Sequence, residues 1–196
     1  VEAKKVPAGS VSFEVVHRLS LHEALAARVA KQFGKVRGGD PTRRKQEMLR
    51  VGAILKKGKG DVKAGHAVYV NACGKCHKLF GEGGDVGPEL TGYERTNPVY
   101  WMENVIDPSA VIREEYLAFI VKMDDGRTLT GIVAGRDKTT VTLRDQEGRL
   151  AKLSRERIED MSASPVSIMP EGQMRQMSDQ QVRDLFAYLM SPKGAR

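Results

Sequence analysis

The chain has 196 residues, of which 40% are hydrophobic and 29% are charged. This balance is typical of a folded globular protein and excludes a disordered or fibrous one. No apolar run reaches the roughly 18 residues that a membrane-spanning helix needs, so we expect no membrane span. The two cysteines are too few for a disulfide framework.

The net charge of +7 is concentrated near the N-terminus. Residues 1–60 hold 14 lysines and arginines against 5 acidic residues, a net +9, whereas residues 61–196 have a net −2. Such a basic block can face nucleic acid, an anionic membrane or an acidic protein, or it can simply be the solvated face of helices. The chain has one Trp and five Phe and lacks a known nucleic-acid-binding motif, so we expect no nucleic-acid partner.

Capping signals predict a helical arm at the N-terminus. Ser20 and Glu23 form a capping box ahead of apolar residues at helical spacing, and Gly34 ends that run. A second helix is predicted to begin at Pro41, because proline is favoured at the first helical position. We therefore assign residues 1–59 to a basic helical arm.

Beyond the arm, helical patterns give way to a β pattern and then return. A third helix is capped by Asp61 and leads to Cys73, and a short helix spans residues 99–106. Over residues 116–160, β-branched runs separated by turn signals predict an antiparallel meander of four or five strands. The helical period resumes after Ser178, which begins another capping box.

The chemistry of the chain is concentrated in Cys73-Gly74-Lys75-Cys76-His77, a C-x-x-C-H sequence. Two thiols at this spacing can add across the vinyl groups of one haem, and the adjacent His can then ligate its iron. A dithiol redox site is one alternative, but it needs a thioredoxin-like context that does not precede the motif. A zinc site is another, but it needs four ligands, and the remaining histidines lack ligand spacing: His17, His22 and His66.

A haem held by one His needs a second axial ligand or leaves an open iron site. The chain has eight methionines, most of which we expect to fill the core. Met169 differs, because it precedes Pro170 in a loop just before the last predicted helix. A loop Met can be presented to iron, whereas a Met inside a helix is committed to packing. Met174 and Met177 are the nearest competitors.

Together these residues resemble a class I cytochrome c. The matching positions lie in separated places along the chain: Gly65, Tyr69, the C-x-x-C-H motif, residues 87–92, Met169-Pro170 and residues 185–189. The resemblance is closer still to the haem-binding domain at the C-terminal end of large planctomycete- and verrucomicrobial-type dehydrogenase-like proteins. That closer likeness rests on residues 80–88, 106–112 and 169–172, and on Lys35 to Gly39 in the arm.

The resemblance implies a fold and a helix crossing. It implies a mainly α cytochrome c domain over residues 60–196, interrupted by a small antiparallel, SH3-like or barrel-like insertion over residues 116–160. In that family the first and last helices meet at a close contact between a glycine and an aromatic residue. Here that contact would place Gly65 and Tyr69 against Leu185 and Tyr188.

The resemblance also implies contacts around the ligand. The carbonyl of Pro88 would accept the Nδ1–H of His77, which fixes the tautomer of the ring and raises its basicity. Tyr100 and Trp101 are candidates to hydrogen-bond the haem propionates, with plain packing as the alternative for each.

The cofactor that follows is one covalent haem c, bound through Cys73 and Cys76, with His77 and Met169 as its axial iron ligands. A saturated iron exchanges electrons without binding substrate, so we expect an electron-transfer module and no enzyme. An open or labile sixth position would instead favour a haem enzyme or a gas or redox sensor.

The partner expected is a redox protein, or a dehydrogenase domain of the same polypeptide. Haem attachment to C-x-x-C-H normally takes place outside the cytoplasm. We therefore expect a periplasmic or otherwise exported protein.

Overall fold

The computed structural model describes Leu19 and residues 22–33 and 41–192. Within these residues it shows five α-helices and one five-stranded antiparallel sheet, so the fold is mixed α and β rather than mainly α as predicted. The helices are α1 (Glu23–Phe33), α2 (Pro41–Lys56), α3 (Val62–Ala72), α4 (Pro98–Ile106) and α5 (Asp179–Leu189). The predicted signals at Ser20, Gly34 and Lys35 to Gly39 lie outside the described residues.

The helix ends follow the predicted caps. Asp61 accepts the N–H of Ala64 at the start of α3, and Asn97 caps α4 with proline at the first helical position. Ser178 and Gln181 form the reciprocal capping box that begins α5. These signals are local, which is why the sequence locates them to within a residue or two.

The strands form a two-stranded hairpin and a larger sheet. The hairpin was not predicted; β1 and β2 are only two residues long and interrupt the glycine-rich loop after the C-x-x-C-H motif. The larger sheet has the order β6-β5-β4-β3-β7, which places the last strand beside the first. Among the described strands no pairing joins β6 to β7, so these two are the edges of the sheet, and its predicted SH3-like or barrel-like form stays a prediction. The bounds are β1 (Lys78–Leu79), β2 (Glu82–Gly83), β3 (Ala118–Met123), β4 (Thr128–Arg136), β5 (Thr140–Arg144), β6 (Leu150–Ser154) and β7 (Ile158–Ala163).

The inserted sheet buries a core of its own. Val121, Val141 and Leu143 are at most 2% exposed and form a cluster separate from the helical core. The sheet begins and ends at one place, because Phe119 pairs with Ala163 across β3 and β7. The insertion therefore extends three residues beyond the predicted end at 160, and its two ends are neighbours.

The helical core joins α2 to the helices that follow it. Val51 and Ile54 of α2 are 0% and 4% exposed and belong to the same cluster as Val182 and Leu185 of α5. The apolar stripe of α2 is thus buried against the helices that follow it.

The predicted crossing of α3 and α5 is confirmed. A Cβ atom at Gly65 would overlap the carbonyl oxygen of Asp184, so only glycine permits this approach of the two backbones. The rings of Tyr69 and Tyr188 pack at 5.2 Å between centroids. The crossing places the C-terminal end of α3, and with it the C-x-x-C-H motif, against the core.

Candidate cofactor site

The C-x-x-C-H motif folds into a tight turn at the end of α3. Cys73 is the C-cap residue, and its carbonyl oxygen accepts the N–H groups of Cys76 and His77 at 3.0 and 2.9 Å. The Tyr69 hydroxyl donates to the carbonyl of His77 at 2.5 Å. The β1–β2 hairpin and the loop behind it close over the turn, and the N–H of Gly87 donates to the carbonyl of Cys76 at 2.8 Å.

The His77 ring is held in one orientation and one tautomer. Its Nδ1 lies 2.9 Å from the carbonyl oxygen of Pro88, the contact expected from the resemblance. A carbonyl only accepts, so Nδ1 carries the proton and Nε2 keeps its lone pair. Burial lowers the pKa of His77, although the Pro88 contact opposes this. The ring is therefore neutral at pH 7, which is the form that binds metals.

Gly87 lies directly against the His77 ring. A Cβ atom at this position would overlap Cε1 of the imidazole. Any other residue would push the ring out of the orientation that the Pro88 carbonyl sets. Sequence reasoning assigned Gly87 no role of its own, because no local pattern shows which residue faces a ring ten positions away.

The two thiols have environments that oppose thiolate chemistry. Burial raises the pKa of Cys73 to about 12. Burial also raises the pKa of Cys76, and the Glu147 carboxylate adds to the effect. A reactive dithiol site needs a lowered pKa, so this arrangement disfavours the dithiol alternative.

The described residues offer little for the zinc alternative. Among them no three His, Cys, Asp or Glu side chains are grouped to hold a metal ion. His66 Nε2 contacts a carboxylate oxygen of Glu82 at 2.8 Å. His22 is exposed, and His17 lies outside the part of the chain that the structure describes.

Of the three candidate methionines, Met169 is the one outside both hydrophobic clusters. It is half-buried in the irregular segment after β7, and its N–H donates to the hydroxyl of Ser167 at 3.1 Å. Met174 is 2% exposed within the helical core, and Met177 packs against that core. The thioether of Met169 is therefore the least committed to packing, and its role as iron ligand stays a prediction.

The propionate candidates have different surroundings. Trp101 is 3% exposed, and its Nε1–H donates to the carbonyl of Arg95 at 3.1 Å. This N–H is already used within the protein, which favours the packing alternative for Trp101. Tyr100 is half-buried with its ring edge-on to Trp101, and its contact with a propionate stays a prediction.

A contact that the sequence did not predict joins the inserted sheet to the motif. The β5–β6 turn places the carbonyl oxygen of Gln146 3.6 Å from Sγ of Cys76. Arg144 at the end of β5 donates to the carbonyl of Asp85 at 2.6 Å and pairs with its carboxylate at 3.0 Å. The insertion therefore covers the Cys76 side of the site.

These residues fit a covalently attached haem. Cys73 and Cys76 are unbridged thiols on one turn. The neutral His77 beside them presents Nε2, and Gly87 leaves room against its ring. A thiol pair for the vinyl groups and an imidazole for the iron are the donor set that haem c attachment uses.

The comparisons with known proteins agree with this geometry. Residues 60–124, about a third of the chain, match the family model of cytochrome c oxidase, cbb3-type, subunit III. This match is to a cytochrome c model, and it indicates haem c as cofactor and haem-based electron transfer. The match includes the C-x-x-C-H motif and Pro88 but ends before Met169, and the planctomycete-type subgroup is not confirmed.

A comparison with curated proteins found no match. None of the described helices is both long enough and apolar enough to cross a membrane.

Proposed function

We propose that the chain binds one haem c through thioether bonds to Cys73 and Cys76, with His77 and Met169 as axial ligands, and that it carries electrons. When bound, the haem supplies one-electron exchange between ferrous and ferric iron. The observation that carries the proposal is the neutral His77 ring, with its proton held by the Pro88 carbonyl beside two unbridged thiols.

Pro88 and Met169 have separate roles at the site. Pro88 orients His77 and increases its basicity, which strengthens it as a donor. Met169 would supply its thioether as the second iron ligand, which would raise the reduction potential and leave no iron position for a substrate. The module is therefore an electron carrier and not an enzyme in its own right.

The electron partner is a separate redox protein or a dehydrogenase domain of the same polypeptide. Exposed basic residues on and after α2 support an acidic docking surface on that partner: Arg43, Lys45, Lys56 and Lys57. Arg44 is not free for this purpose, because it pairs with Asp107 at 2.8 Å. Haem attachment outside the cytoplasm supports a periplasmic or otherwise exported location.

The function is tested on the haem-loaded protein by optical spectroscopy and redox titration. We expect one reversible one-electron transition, and a ferrous spectrum that carbon monoxide leaves unchanged because both axial positions are filled. Rapid binding of carbon monoxide to the ferrous protein would instead support the enzyme or sensor alternative. Stopped-flow electron exchange with an acidic redox protein then tests the carrier role directly.

We expect the inserted sheet to shield the site rather than to ligate the iron. It has its own core, and its ends are adjacent at Ala118 and Ala163. Replacing residues 118–163 by a short flexible linker should therefore keep the axial ligands while exposing the Cys76 side. Solvent exposure tunes haem potentials, so the midpoint potential should shift while the absorption spectrum stays the same.

Arg144→Met is the milder companion to this deletion. It removes the contacts with Asp85 that hold the β5–β6 turn in place but keeps the sheet. The midpoint potential of Arg144→Met should shift in the same direction as that of the deletion variant, by a smaller amount. A folded deletion variant with a changed axial ligand spectrum would contradict the shielding role.

A further inference from the structure

The segment that carries Met169 is tied to α2 by side chains. Nη2 of Arg50 donates to the carbonyl oxygen of Met174 at 3.0 Å, across 124 positions of sequence. Nε of Arg175 lies 3.5 Å from a carboxylate oxygen of Glu47. Both contacts lead from α2 to the residues that follow Met169.

Glu47 fixes the orientation of Arg50. It is 8% exposed although it bears a carboxylate, and its two oxygens accept from Nε and Nη2 of Arg50 at 3.1 and 2.8 Å. The hydrogen bonds from Arg50 hold the pKa of Glu47 below its usual value, so the pair is charged at neutral pH. A two-point contact holds the planar guanidinium in the position from which Nη2 also reaches Met174.

The junction between α2 and residues 171–175 is a small pocket that is partly open to solvent. It is lined by Glu47 of α2, by Val105 and Ile106 of α4, and by residues 171–175. The contacts of Arg50 and Arg175 therefore join α2 to this segment at the edge of a groove.

The other end of the segment has a separate anchor. The N–H of Ser167 donates to the hydroxyl of Ser109, which is 2% exposed. Met169 thus lies between an anchor on Ser109 and an anchor on α2. Loss of either anchor would leave the segment attached at one end only.

We propose that Arg50, oriented by Glu47, is a positioning residue for Met169: it holds the segment that follows Met169 against α2 and so slows displacement of the thioether from iron. The proposal rests on the proposed function, in which Met169 is the axial ligand. It gives α2 a role beyond its contribution to the core.

The test compares Arg50→Met with Arg183→Met in the full haem-loaded chain. Both substitutions remove a half-buried arginine that donates to a distant backbone carbonyl, but Arg183 donates to Ile54 rather than to the residues after Met169. We expect added cyanide to displace the ferric axial ligand about tenfold faster in Arg50→Met, because a hydrogen bond from a charged donor is lost. In Arg183→Met the rate should stay within about twofold of the wild-type rate, because sites without shared partners act independently.

Hydrogen exchange of peptides covering residues 164–178 is the second readout, and it does not depend on the iron ligand. Protection should fall in Arg50→Met and in Glu47→Gln, and it should be largely restored in Arg50→Lys, which can still donate to the Met174 carbonyl. Thermal unfolding of all variants measures their general loss of stability.

The outcomes separate the two proposals. Equal cyanide rates and equal exchange in Arg50→Met and wild type would overturn the positioning role, as would equal effects of Arg183→Met and Arg50→Met at equal loss of stability. The wild type could lack the ferric Met band while Arg50→Met still loses protection of residues 164–178. This result would show that the anchor is real and that Met169 is wrong as ligand.

Discussion

Haem should be lost from the chain when both cysteines are replaced. In Cys73→Ala/Cys76→Ala no thiol remains to add to a vinyl group, so the denatured protein should have the mass of the bare chain. The wild type, made with a c-type maturation system, should have the mass of the chain plus one haem. Each single replacement should keep haem through one thioether bond.

Lys75→Ala is the matched control for attachment. Lys75 lies between the two cysteines on the same turn and is exposed. Its replacement changes the motif without removing a thiol, so the mass should still include one haem. Bare-chain mass for the wild type under these conditions would contradict covalent attachment.

Met169→Leu should convert the saturated iron into one open to added ligands. Leu keeps the volume of Met but lacks the sulfur, so the effect reports on ligation rather than on packing. The weak long-wavelength band of Met-ligated ferric haem should disappear, and ferrous protein should bind carbon monoxide. Absorption spectra with and without the gas measure both changes.

Met174→Leu and Met177→Leu are the controls for this assignment. Met174 is nearly fully buried in the helical core, so its replacement should cost less than about 1.5 kcal/mol of unfolding free energy and leave the spectrum intact. Loss of the band in Met174→Leu with retention in Met169→Leu would reverse the assignment.

Signals that act within one turn of helix were predictable from the sequence. The caps at Asp61 and Ser178 are each made by a side chain to a backbone N–H three positions away. The two cysteines and the histidine of the C-x-x-C-H motif also lie within five consecutive residues, so the motif is recognisable from the sequence. Such features depend on few neighbours, so a single sequence carries them completely.

The sheet was predicted with four or five strands and has five, but the position of its last strand was harder to predict. Turn signals located the strands up to residue 153. The last strand, β7, pairs with β3 across about forty residues. Burial of the apolar cluster around Val121 makes that pairing favourable. The fold class was predicted as mainly α from the resemblance to class I cytochromes c, and the inserted sheet makes it mixed. Pairing between strands that are distant in sequence depends on side-chain contacts across the sheet rather than on the local sequence of one strand.

The sequence by itself determined the chemistry of this protein: two thiols and an imidazole at a spacing that suits one haem. Only the tertiary structure decided what surrounds that chemistry. It placed Gly87 against the His77 ring, Gln146 beside Cys76, and Arg50 on the carbonyl of Met174. These pairs are separated by 10 to 124 positions. These contacts form because packing of the helical core and docking of the sheet bring distant segments together. No periodic pattern in the sequence predicts them.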